Sequence, residues 1–167
     1  MPNWIYNSFT FNNAEDFIKV YNGMMKKVKI AIYDEWHNIT DVKEEEKWSF
    51  RGVRDFPEKP PEKYLLKEDD PVGFDINCPN LNWYNWCIDN WGCKWDASSI
   101  TIEEDTNTIY FSTPWSAISD DFFDAIKEKF GVEIEFDWWS DEDIEEDFDV
   151  EDPVVREDED WNVSLGP

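Results

Sequence analysis

Residues Val132 to Trp138 read VEIEFDW, with an apolar side chain at every second position and an acid between each pair. That period belongs to a strand, because successive side chains leave opposite faces of the pleat. Val132, Ile134, Phe136 and Trp138 are expected to point inward, and Glu133, Glu135 and Asp137 outward. Immediately before it, Phe122, Phe123, Ile126 and Phe130 recur at helical spacing. Ser119 caps that helix, Asp120 and Asp121 complement its N-terminal dipole, and Gly131 stops it. The chain therefore runs from a helix over 119–130 into a strand over 132–138.

Four further segments extend the pattern. Trp4 to Phe11 alternates, with Trp4, Tyr6, Ser8 and Thr10 on one side and Ile5, Asn7, Phe9 and Phe11 on the other. Asn12-Asn13 offers a cap for a helix from Ala14 to Gly23, whose Phe17, Val20 and Tyr21 share a face. Ile100 to Glu104 and Thr108 to Thr113 alternate on either side of the turn Asp105-Thr106-Asn107, and so read as a hairpin. The order strand, helix, strand, strand, helix, strand predicts the α+β class. Its arrangement is a ferredoxin-like βαββαβ antiparallel sheet with both helices on one face. This is a topology and carries no implication of an iron–sulfur cluster. The ferredoxin-like domain is expected over 1–139, with an insertion over 24–75 after the first helix. Within the insertion, Val28 to Ile32 suggests a short strand, Trp36 to Trp48 is polar and acidic, and Pro57, Pro60 and Pro61 enforce an extended stretch. An acidic C-terminal segment follows over 140–167, in which Asp152 to Arg156 can pair with Trp161 to Leu165.

Charge limits what such a domain can bind. The formal net charge is -25, from 40 acidic and 15 basic residues. This repels nucleic-acid phosphates and anionic membranes, and attracts basic surfaces and cations. Halophilic proteins are acidic too, but the lysines at 26, 27 and 29 and the aromatic content of 17% fit that class poorly. No apolar run is long enough for a membrane span, and the first residues do not form a signal peptide, so a cytoplasmic location is expected.

Metal and catalytic motifs are absent from the pattern. The three cysteines, Cys78, Cys87 and Cys93, form no CxxC pair, and His37, the one histidine, lies far from them in sequence. No metal and no cofactor is expected, and the thiols are expected to be reduced. No Walker A loop, GxGxxG or nucleophile elbow occurs. Asp141 to Asp152 lacks the glycine of an EF-hand loop. An enzyme is the least favoured class.

Three stretches are distinctive. The chain opens Met1-Pro2-Asn3-Trp4, followed by Asn7. A tryptophan-rich block runs from Trp83-Tyr84-Asn85-Trp86 through Asn90-Trp91-Gly92 to Lys94-Trp95-Asp96-Ala97. A third segment, Phe111 to Trp115, leads into the second helix. Together they resemble the phage- and plasmid-borne YubB-type family with a ferredoxin-like domain, over the first strand and roughly residues 80–139. The resemblance implies the fold and a mobile-element origin, and supplies no catalytic residues. The insertion has no visible counterpart, and the acidic stretch stands where the family tends to carry a glycine-rich hairpin. The tryptophans have two readings, as core packed on the sheet or as an aromatic recognition surface; for Trp83, Trp86, Trp91 and Trp95 the core is favoured.

Duplex DNA presents one negative charge per about 1.7 Å of axis. Outward residues Glu133, Glu135 and Asp137 would stand about 7 Å apart along one strand. Continued by Asp141, Glu142, Asp143, Glu145, Glu146 and Asp147, they form a candidate partner-binding ridge that mimics DNA. The expected partner is a basic nucleic-acid-binding protein of the host, such as a CRISPR or restriction complex, and not nucleic acid itself. The alternative is an accessory mobile-element protein whose acidity keeps it soluble.

Overall fold

The computed structural model describes residues 3–140. The proposed pairing of Asp152 to Arg156 with Trp161 to Leu165, and the acids from Asp141 onward, lie outside the described residues. Within them the chain forms β1 (Trp4–Phe11), α1 (Ala14–Gly23), β2 (Met25–Tyr33), β3 (Ile39–Trp48), α2 (Trp83–Trp91), β4 (Ser98–Glu103), β5 (Thr108–Pro114), α3 (Asp120–Phe130) and β6 (Ile134–Ser140).

The four strands read from the alternating runs form one sheet in the order β4-β5-β1-β6, and every neighbouring pair is antiparallel. That is the ferredoxin-like arrangement: the first and last strands of the unit lie side by side, and the hairpin pairs on the other flank of β1. The sheet's inner face carries Ile5, Phe9 and Phe11 of β1 and Ile109 and Phe111 of β5. Against it pack Phe17 and Val20 of α1 and Phe122, Ile126 and Phe130 of α3. The caps follow the sequence chemistry. Asn13 accepts from the Asp16 N–H at 2.8 Å, and Ser119 from the Phe122 N–H at 3.1 Å.

The alternation of the last strand holds with one exception. Val132 is buried, and Ile134 and Phe136 pack on the core, but Trp138 is 54% exposed. The helical layer covers the sheet as far as Phe136, whose ring meets that of Phe123 at 4.9 Å. Trp138 lies two residues further on the edge strand β6, opposite the buried Asn7 of β1.

Between α1 and β4 the chain leaves the ferredoxin-like layer. β2 and β3 form a separate antiparallel hairpin, longer than the short strand expected at Val28 to Ile32. Its second strand, read from sequence as merely polar, is exposed from Ile39 to Glu46. Asp34 closes the tip by accepting the N–H groups of Trp36 and Asn38 at 2.8 and 2.9 Å. The base of the hairpin is not separate from the body. Trp48 and Phe50 join the same core as Phe111 and Phe122, with ring separations between 5.2 and 5.7 Å. α2 completes that core with Trp86, Cys87 and Trp91, and ends at Gly92 in the left-handed conformation.

Candidate partner-binding face

The sheet face turned away from α1 and α3 is set by register. Glu103, Thr108, Thr10 and Glu135 stand in one row across the four strands. The next row is Thr101, Tyr110, Ser8 and Asp137, and the next Ser98, Ser112, Tyr6 and Trp139. Hydroxyl side chains thus occupy the middle two strands on this face, from Thr10, Ser8 and Tyr6 of β1 and Thr108, Tyr110 and Ser112 of β5, with Thr10 and Thr108 hydrogen-bonded at 3.2 Å. Carboxylates stand at both flanks, and the aromatic residues Tyr6, Trp139 and Trp4 gather toward one end. Burial, and then the Glu103 carboxylate, raise the pKa of the Tyr110 phenol, which stays a protonated donor at neutral pH.

Of the nine residues expected to form the acidic ridge, three lie within the described residues. Glu135 and Asp137 are exposed on this face, about 7 Å apart along β6. Glu133 is exposed in the turn that precedes the strand. None of the three forms an ion pair with a described residue. Asp141, Glu142, Asp143, Glu145, Glu146 and Asp147 lie outside the described residues. Sequence reasoning passed over Glu103, which register brings to the row of Glu135. The hairpin reading of 100–113 carried the signal, since it places Glu103 opposite Thr108.

Acids are not confined to this face. Glu15 and Asp16 open α1, Asp41, Glu44, Glu45 and Glu46 line β3, and Asp120, Asp121, Asp124 and Glu128 stand on α3. Residues 141–167 hold 13 of the 40 acids and one of the 15 bases, so this short stretch accounts for about half of the net charge.

The distinctive stretches of the sequence meet in space. Asn7, buried in β1, donates to Thr113 Oγ1 at 3.0 Å, and Thr113 Oγ1 donates to the Ser116 carbonyl at 2.6 Å. Ser116 Oγ in turn donates to the Gly92 carbonyl at 2.7 Å. Asp96 binds the base of the hairpin to the start of β4. It accepts from the N–H groups of Phe50 and Ala97, each at 2.8 Å, and from the Ser49 hydroxyl. Trp86 and Trp91 are core, as favoured, and Trp83 packs at the core's edge. Trp95 departs from that reading: it is 40% exposed and leans on Trp4 with ring centroids 6.2 Å apart. The three thiols are buried, and desolvation raises all of them, Cys93 to about 12. They are held protonated and unreactive at neutral pH. No group of potential metal ligands occurs among the described residues. His37 is exposed at the hairpin tip.

Comparison with known families bears on the second half of the unit. Residues 94–149 are similar to a family described as a ferredoxin-like domain in Api92-like protein. The match takes in β4, β5, α3 and β6, and so agrees with the sheet order above. No curated protein and no solved structure matches the chain. Among the described residues, no helix is long and apolar enough to cross a membrane.

Proposed function

We propose that this chain is a phage- or plasmid-encoded binding protein of the cytoplasm that inhibits a host defence protein, such as a CRISPR or restriction complex, by occupying its nucleic-acid site. One observation carries the reading. β6 presents the exposed Glu135 and Asp137 on the sheet face turned away from α1 and α3, and the sequence continues into Asp141 to Asp147, the densest acidic stretch of the chain. A carboxylate row on a rigid strand holds its spacing, as a phosphate backbone does, and needs no ordering on binding. Glu103 at the far flank of the same face adds a second line of charge, about 14 Å away across three strand spacings. The family likeness noted from the sequence supports the mobile-element origin.

A second reading rests on the acids of α1, β3 and α3. Charge spread over so many elements suits an accessory protein whose acidity serves solubility. One experiment separates the two. The full chain is immobilised and host lysate passed over it at low and high salt, with and without duplex DNA. Mimicry requires a retained basic protein that is displaced by DNA and lost steeply with salt. Replacing Glu133, Glu135, Asp137, Asp141, Glu142 and Asp143 by Gln or Asn should release it without unfolding the domain. Retention that resists salt and disappears on changing Trp36 or Trp138 would mean an aromatic interface, and would rule mimicry out.

A further inference from the structure

Lys47, Arg51 and Lys94 line a single cleft of about 150 Å³ between the β2–β3 hairpin and α2. In a chain with 40 acids and 15 bases, a lysine has carboxylates to spare. Lys47 and Lys94 form no ion pair among the described residues, and Lys47 Nζ donates to the Ala97 carbonyl at 3.4 Å. Arg51 gives its Nε–H to Asp55 at 2.6 Å and lies over the Phe56 ring at 4.9 Å, while its Nη1 is buried without an acceptor.

Two carboxylates reach the cleft, and both are engaged within the protein. Asp75 accepts from the backbone and side-chain N–H groups of Asn77 at 2.7 and 3.1 Å. Asp96 holds Ser49, Phe50 and Ala97 as described above. The walls are aromatic, from Phe56, Trp83, Trp91 and Trp95. Lys94 rests on the Trp95 ring, with Nζ 4.4 Å from its centroid. The cleft therefore combines flat apolar walls with two lysines, Lys47 and Lys94, that form no ion pair among the described residues.

We propose that this cleft binds a small planar monoanion, an aromatic carboxylate of one ring. The ring would lie among the aromatic walls, and the carboxylate would accept from the Lys47 or Lys94 ammonium. The volume sets the size: a cavity of about 150 Å³ takes a benzene-sized ring. The charge of the whole chain sets the valence. A net charge of -25 repels a polyanion such as a nucleotide far more than a monoanion. This inference is independent of the mimicry reading, and neither depends on the other's outcome.

The test titrates the full-length protein with benzoate at fixed ionic strength, read by calorimetry and by tryptophan fluorescence. Benzamide serves as the neutral isostere and inorganic phosphate as the ringless anion. Saturable benzoate binding is expected, with both controls at least about tenfold weaker, since a charge-assisted hydrogen bond is lost in one and stacking in the other. Lys47→Gln and Lys94→Gln should each weaken benzoate by about tenfold. Should a variant lose its far-ultraviolet dichroism, the comparison of benzoate with benzamide on the unmodified protein decides alone. Absence of saturable benzoate binding, equal affinity for benzamide, or equal affinity for phosphate would each overturn the proposal.

Discussion

Gly92 illustrates how much one residue of the tryptophan-rich block constrains. It ends α2 with φ +90, and a Cβ built there would lie 2.4 Å from the Ser119 nitrogen. That nitrogen donates to the Trp91 carbonyl at 3.0 Å, so the end of α2 and the start of α3 cannot separate without losing this bond. Gly92→Ala should lower stability by about 3 kcal/mol or more, measured by urea unfolding, because left-handed strain and a backbone clash add. Asp96 makes a prediction with a sign. Burial raises its pKa, against the Lys47 charge and the hydrogen bonds from Ser49, Phe50 and Ala97. The folded state thus holds this proton more tightly than the unfolded chain does. The associated stability is full below the ordinary carboxyl value of 3.8 and is lost as pH rises through the raised one. Asp96→Asn cannot ionise and keeps an acceptor for both backbone N–H groups. Its stability relative to the unmodified protein should therefore grow with pH across that window, in thermal melts from about pH 4 to 7. At this scale the sequence was partly legible. Alternation placed Asn7 on the inner face of β1, but nothing in the chain order announced Thr113 as its partner, 106 residues away.

The β2–β3 hairpin shows what hydrophobic periodicity misses. β3 reads ITDVKEEEKW and exposes both faces over most of its length, so no apolar alternation marks it. Its pairing is written in charge instead: Lys27 stands opposite Glu46, and Lys29 opposite Glu44. Such cross-strand pairs contribute about 0.2–1 kcal/mol each. Reversing Glu44 and Glu46 to Lys should destabilise the hairpin by about 1–2 kcal/mol, read as faster amide exchange over 25–48. Adding Lys27→Glu and Lys29→Glu should restore protection. Recovery would identify charge pairing, and not mere strand propensity, as the cause. By contrast β6 and α3 were legible because each buries one face, and burial imposes a period. Trp138 escaped that logic, since the period tells which way a side chain points and not whether another element covers it.

For the molecule as a whole, self-repulsion is the governing term. A net charge of -25 on a chain of this length favours expansion, and at physiological ionic strength salt screens the repulsion beyond about 8 Å. The melting temperature should rise by several degrees between low salt and about 0.5 M sodium chloride, followed by dichroism. A flat or falling curve would mean that the charges are already balanced by local pairing. The order of strands and helices was legible at this scale, because a βαββαβ pattern admits few topologies. The cationic cleft was not. Its lining comes from β2, the end of β3, the turn at Arg51, α2 and the segment before β4, and no single stretch of sequence records that they converge.

The sheet order also sets a timetable for synthesis. β1 is made before both of its partners, β5 and β6, and its nearest partner residue, Thr108 opposite Thr10, comes 98 residues later. At about 5–20 residues per second, the wait on the ribosome is roughly 5 to 20 s. β2 and β3 pair locally and can close within that interval. Phe9 and Phe11, meanwhile, have no sheet to join, and a nascent chain paused before residue 108 offers them to whatever chaperone meets it first.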